Sequence, residues 1–170
     1  MVALLINWNE LLVICRKELS YIVKIKKQNP DAIMVVAPSD HWIEDEVQFC
    51  SNLQHAFDFC ERDENLMTLG ILPTFANTGY GYIEFDKLDS RPIKKVKQFR
   101  EKPDYATARK FIQSRNNLWN AGIFVWSAKT VLKAYEEFQP VMYDHFMNGY
   151  EALNTEKEAL IGVGMTGIAS

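Results

Sequence analysis

Residues 33–43 read IMVVAPSDHWI. From Ala32 to Ala37 the chain is continuously apolar and rich in β-branched residues, the pattern of a strand covered on both faces. Strands of that kind lie in parallel sheets layered by helices. Pro38 has no N–H to give to a ladder, so the strand must leave the sheet there. In open α/β sheets ligands bind beyond the carboxyl ends of the strands. Asp40 stands at that edge, where its carboxylate is suited to Mg²⁺, which prefers oxygen ligands and commonly takes one or two carboxylates plus substrate phosphates. A second reading is open at this point: Ser39 or Asp40 caps the helix that follows.

Working outward, residues 17–28 suit a helix that Asn29-Pro30-Asp31 ends. Residues 43–61 form the clearest helix, with Val47, Cys50, Leu53, Phe57 and Cys60 at helical spacing. Residues 65–72 read as another strand, followed by a turn-rich loop that enters a short strand near Tyr82. Residues 93–103 suit an extended edge segment, although Ile93, Val96 and Phe99 are three apart and fit neither period. Asp104 is placed to cap a helix running to Ser114, a strand lies within 118–126, and Ser127 is placed to cap the next helix. In that helix Val131, Leu132, Tyr135 and Phe138 make one apolar stripe, and Pro140 ends it. A last helix is expected over 141–153. Two short strands, VALLI (2–6) and ELLVI (10–14), fit the N-terminal stretch. Strands and helices alternate without repeats or low-complexity linkers, so the expectation is one α/β domain over residues 1–170.

The 170 residues are 48% hydrophobic, enough for a core, and the formal net charge of −3 argues against a nucleic-acid partner. The lysines at 24–27 and 94–97 read as solvated faces. Cys15, Cys50 and Cys60 show no metal spacing and read as free thiols of a reducing compartment. The first residues lack a basic start and a cleavage pattern, and no apolar run approaches the roughly 20 residues of a membrane helix. A soluble cytoplasmic protein, not associated with membranes, is the expectation.

Three further stretches can carry chemistry. In TGYGY (78–82) two glycines flank Tyr80, which lets backbone approach a ligand or simply makes a turn; no Gly-Lys-Ser/Thr follows, so it is not a phosphate loop. In FREKP (99–103) Glu101 can accept from hydroxyls and Lys102 is a compact charge suited to phosphate, though such pairs are common on surfaces. In WNAGIF (119–124) the Asn120 amide can donate to and accept from hydroxyls, or serve as a turn asparagine. His41, His55 and His145 lack metal spacing and receive no role. The glycine-rich stretch GVGMTGIAS (162–170) reads as a flexible end.

Taken together and in order, PSDH, GILPTFANTGYGYIEF, FREKPD and WNAGIFVW resemble the mannose-1-phosphate guanylyltransferases, or GDP-mannose pyrophosphorylases, over about residues 20–154. The resemblance implies a Rossmann-like nucleotide-diphospho-sugar transferase fold, a mixed sheet with helices on both faces. It implies a reaction in which mannose 1-phosphate attacks the α-phosphorus of GTP to give GDP-mannose and pyrophosphate. On the matching positions it implies that Asp40 holds Mg²⁺ and takes part in catalysis. Gly79, Tyr80 and Gly81 would line the mannose pocket, Glu101 would accept from mannose hydroxyls, Lys102 would pair with the sugar phosphate in a binding and catalytic role, and Asn120 would bind a further hydroxyl.

The pattern departs from the family in three places. The family's glycine-rich, arginine-bearing nucleotide loop has no counterpart here. NELLVICRKELSYIV (9–23) stands where the family has Glu-Pro and then Arg-Asn-Thr-Ala-Pro. No Trp-Ser-Asp-Leu-Gly segment supplies a second metal carboxylate. The sequence therefore resembles the middle of such an enzyme, an incomplete form of the fold. Three expectations follow: impaired turnover by this chain alone, a non-catalytic sugar-phosphate-binding or regulatory module, or a related sugar-1-phosphate nucleotidyltransferase. An unpaired sheet edge would also favour a homo-oligomer.

Overall fold

The computed structural model describes residues 2–5, 19–91, 93–155 and 157. Among them, six strands form one mixed sheet: β1 (Val2–Leu5), β2 (Ile33–Val36), β3 (Leu66–Ile71), β4 (Tyr82–Phe85), β5 (Lys94–Arg100) and β6 (Asn117–Ser127). Five helices pack on it: α1 (Leu19–Gln28), α2 (Glu46–Arg62), α3 (Tyr105–Ser114), α4 (Ala128–Phe138) and α5 (Pro140–Met147). The sheet order is β2-β6-β3-β1-β5-β4, and β4 returns to pair with the first part of β6. The expected strand ELLVI, Cys15 and the glycine-rich stretch at 162–170 lie outside the described residues.

β6 organises the sheet. It runs antiparallel to β2, β3 and β4. Its side chains alternate between two cores, as a two-residue strand period requires. Phe124 and Trp126 join α1, α4 and α5 on one face, while Ile123 and Val125 join α2 on the other. Helices therefore cover both faces.

The reading of β2 as a two-face-buried strand of a parallel sheet is corrected. β2 stands at one end of the sheet order, pairs antiparallel with β6 from Ile33↔Ser127 to Val36↔Phe124, and leaves Val35 41% exposed. The enclosed strands are β3 and β6, and the parallel pairing among the described residues joins β1 to β5 at Leu4↔Lys94 and Leu5↔Lys95. β5 is correspondingly no edge: β1 takes its start and β4 takes Val96 to Arg100.

Helix ends follow local chemistry. The Ser127 hydroxyl accepts from the Thr130 N–H at 3.0 Å and donates to the Thr130 hydroxyl at 2.7 Å, starting α4 where the sequence predicts. Ser127→Ala is expected to lower the unfolding free energy by about 1 kcal/mol, read as a shifted urea midpoint. Asp104 caps α3 by accepting from Thr107 N–H at 2.8 Å. The helix expected over 141–153 is two elements, α5 and a 3₁₀ turn at Tyr150–Ala152. Lys27 fixes that turn by donating to the carbonyls of Tyr150 (2.9 Å) and Glu151 (2.7 Å), so this lysine does more than solvate a face.

Burial pushes the Cys60 thiol up to about 12. Because the thiolate is the nucleophile, an alkylating reagent at pH 8 is expected to mark exposed Cys50 and spare Cys60 until the chain unfolds. Peptide mapping by mass spectrometry checks this.

Candidate substrate cleft

The cleft begins where β2 ends. Pro38 leaves the ladder and Ser39-Asp40 turn outward. The helix cap belongs to neither residue: the Asp45 carboxylate accepts from Gln48 N–H at 2.9 Å and starts α2. That removes the capping explanation for Asp40. Its side chain is exposed and has no hydrogen-bond or ion-pair partner among the described residues.

Across from β2, β6 carries a bulge. Leu69 of β3 pairs with Ile123, but Gly70 pairs with Asn120, so Ala121 and Gly122 are extra residues. Such a bulge re-aims neighbouring side chains. Gly122 holds φ +66°, and a Cβ there would stand 3.3 Å from the Pro38 ring. The bulge thus seats the end of β2 and, through it, Asp40. Asn120 Oδ1 accepts from the Gly122 N–H at 2.9 Å, which leaves the amide NH₂ as the part of Asn120 able to reach a ligand.

The same residue joins the glycine motif. Asn120 N–H donates to the Gly81 carbonyl at 2.9 Å, and a Cβ on Gly81 would lie 3.6 Å from Glu101 Oε2 and 3.7 Å from Asn120 Cβ. Gly81, Glu101 and Asn120 therefore converge. Lys102 follows with φ +26°, a backbone conformation that costs energy for a residue with a side chain, and its ammonium lies 3.6 Å from the Glu101 carboxylate. Gly79 donates its N–H to Asn77 Oδ1 at 2.7 Å, and Asn77 is tied in turn to the Tyr82 hydroxyl. Tyr80 packs edge-on against Trp119 at 5.3 Å between ring centroids, and Phe75 does the same at 5.1 Å. Edge-to-face contacts of this kind fix ring orientation.

These elements enclose a cleft of about 620 Å³ whose lining includes Asp40, Trp42, Gln48, Tyr80, Trp119 and Asn120. Of the residues singled out in the sequence, Asp40, Tyr80 and Asn120 line it. Gly81 and Glu101 adjoin Asn120; Lys102 and Gly79 stand outside the lining. Among the described residues, the lining carries the carboxylates of Asp40, Glu44 and Asp45 and no lysine or arginine. His41, to which the sequence assigns no role, also lines it. Sequence reasoning missed Trp42 and Trp119; the signal for each is an aromatic side chain set within two residues of a functional polar one.

A family model described as nucleotidyl transferase matches residues 17–161. The chain belongs to the nucleotidyl transferase family. Among curated nucleotidyl transferases, the mannose-1-phosphate guanylyltransferase of Salmonella muenchen is 35% identical over 126 residues, which is 74% of this chain and 26% of that protein. Its Escherichia coli counterpart is 35% identical over 123 residues, 70% of this chain and again 26% of the relative. The chain thus spans about a quarter of the length of these relatives. A solved structure described as a mannose-1-phosphate geranyltransferase from Thermus thermophilus matches with a TM-score of 0.71 at 22% identity, over 85% of this chain and 42% of that one. The fold is shared with that structure. No helix among the described residues is long and apolar enough to cross a membrane.

Proposed function

We propose that this chain carries the sugar-phosphate half of a mannose-1-phosphate guanylyltransferase site. The observation that carries the reading is the convergence at Asn120, which lines the same cleft as Asp40 and Tyr80 while touching Gly81 and standing beside Glu101. Hydroxyl recognition needs donors and acceptors at close quarters. Here the Asn120 amide donates, Glu101 accepts, and the absence of a side chain at Gly81 leaves room for a sugar ring. Lys102, beside Glu101 and just outside the lining, would have to reach in to pair with the sugar phosphate.

The reaction joins a phosphate oxygen of mannose 1-phosphate to the α-phosphorus of GTP, as the bond from that phosphorus to the β-phosphate oxygen breaks and pyrophosphate leaves. Such a transfer depends on positioning and charge neutralisation. Among the described residues no cluster of three or more metal-type ligands exists. The unengaged carboxylate of Asp40 suits Mg²⁺, which is held largely by water and substrate phosphates. Bound there, Mg²⁺ would offset phosphate charge. The chain's own residues hold the sugar, aim its phosphate and keep Asp40 in place through the Pro38–Gly122 contact.

Calorimetry with Mg²⁺ tests the reading. Saturable binding of mannose 1-phosphate, stronger than that of glucose 1-phosphate and lost on Glu101→Ala, is expected. No binding by a folded chain overturns it. Because no arginine or lysine among the described residues lines the cleft, GDP-mannose formation from GTP is expected to be slow, and rapid formation would show that the lining as described suffices.

A further inference from the structure

Trp42 is 88% exposed and lines the cleft two residues after Asp40. A tryptophan carries a large apolar surface, usually 150–250 Å² of it buried, and this one forgoes that burial. Phe75 and Tyr80, also partly exposed, both use their rings against Trp119. Trp42 has no ring contact among the described residues. Its position is nonetheless held. The segment that carries it is anchored on one side by Pro38 against the Gly122 bulge and on the other by the Asp45 cap of α2. The lining beside it is apolar, with Ile43 and Phe49.

If the proposed function holds, on which this inference rests, the sugar occupies the Gly81, Glu101 and Asn120 side, and the phosphates meet the metal carboxylate. The open indole lines the same cleft two residues after that carboxylate, and so is available to whatever part of the nucleotide the phosphates carry. With three carboxylates and no lysine or arginine in the lining among the described residues, the cleft has little charge with which to hold a nucleotide, and a planar base gains most from an aromatic face. We infer that Trp42 is a stacking platform for the nucleobase of the nucleotide substrate. Stacking accepts any base because every base has a π-face, and removing one such platform weakens binding by roughly 5- to 150-fold. Trp42 therefore contributes affinity without choosing guanine over adenine.

Equilibrium dialysis with Mg²⁺, applied to the unmodified chain, Trp42→Ala and Trp42→Phe, tests this with GTP, ATP, inorganic tripolyphosphate and mannose 1-phosphate. The exposure of Trp42 keeps the fold intact in both variants, which circular dichroism verifies. GTP and ATP are expected to weaken by that factor in Trp42→Ala and by a few-fold at most in Trp42→Phe, while tripolyphosphate and mannose 1-phosphate stay within two-fold. Unchanged GTP binding overturns the platform. So does an equal loss for tripolyphosphate, which would place the effect in the Asp40 loop, and so does a loss confined to mannose 1-phosphate, which would put the sugar ring on the indole. An unmodified chain that binds no GTP overturns it too. Trp42-dependent GTP binding without any mannose 1-phosphate binding would instead refute the sugar-phosphate reading and leave the platform standing.

Discussion

Gly122→Ala is expected to lower the unfolding free energy by about 2–3 kcal/mol. The left-handed conformation costs a residue with a Cβ roughly 1–2 kcal/mol. The added methyl also comes 3.3 Å from the Pro38 ring, which is exposed and has to give by a few tenths of an ångström, so the steric part stays at the lower end of the roughly 1–3 kcal/mol typical of overpacking. Urea titration reads the first effect. The second reaches the site, because the Pro38 ring it displaces carries the Asp40 turn, so metal-dependent mannose 1-phosphate binding is expected to weaken in parallel. The double variant Pro38→Ala/Gly122→Ala separates the two causes. It should recover the steric part and leave the conformational part, a coupling that a double-mutant cycle measures. Full additivity would mean that the two residues do not press on one another.

Asn120→Asp is expected to keep the fold and lose the sugar. The new carboxylate still accepts from the Gly122 N–H, so the bulge survives. It removes the amide donor and places a second negative charge beside Glu101. An unpaired polar group and the loss of a hydrogen bond together cost about 1–3 kcal/mol, and the added repulsion makes a fall in mannose 1-phosphate affinity of roughly 100-fold the expected result in calorimetry. Asn120→Ala removes both halves of the amide and is expected to weaken binding about 10-fold while also lowering stability. An Asn120→Asp chain that binds as well as its parent would reduce Asn120 to a bulge brace.

Local chemistry was the legible part of the sequence. Asp104 and Ser127 cap helices because a short side chain can reach back to an N–H three residues on, and that interaction needs no knowledge of the rest of the fold. The placement of β2 was not legible. Its apolar run is compatible with burial on both faces, and only the pairing of distant β6 decides that it lies at the edge of the sheet order, antiparallel to its neighbour. Pro140 illustrates a middle case. A proline ends α4 but also suits the first turn of a helix, and here it does both. At the site, Asp40 announced itself as a polar group just after an apolar run and Asn120 as one just before an apolar run. The division of labour within Asn120, carbonyl inward and amide outward, depends on a bulge that nothing in WNAGIF predicts beyond its glycine. Trp42 was hidden for a different reason: its exposure cannot be read from the residues beside it.

The central place of β6 bears on how the chain is made. Three strands, β2, β3 and β4, take partners from residues 117–127. During synthesis the first of these, with its apolar Ile33–Val36, waits until Phe124 to Ser127 have followed it before its partner exists. Contacts this distant in sequence form slowly, and unpaired strands exposed meanwhile invite association with other nascent chains. A ribosome paused before residue 117 would hold a chain in which β1 can already pair with β3 and β5, and β4 with β5, while β2 still lacks its strand partner, the stage at which a chaperone has most to protect.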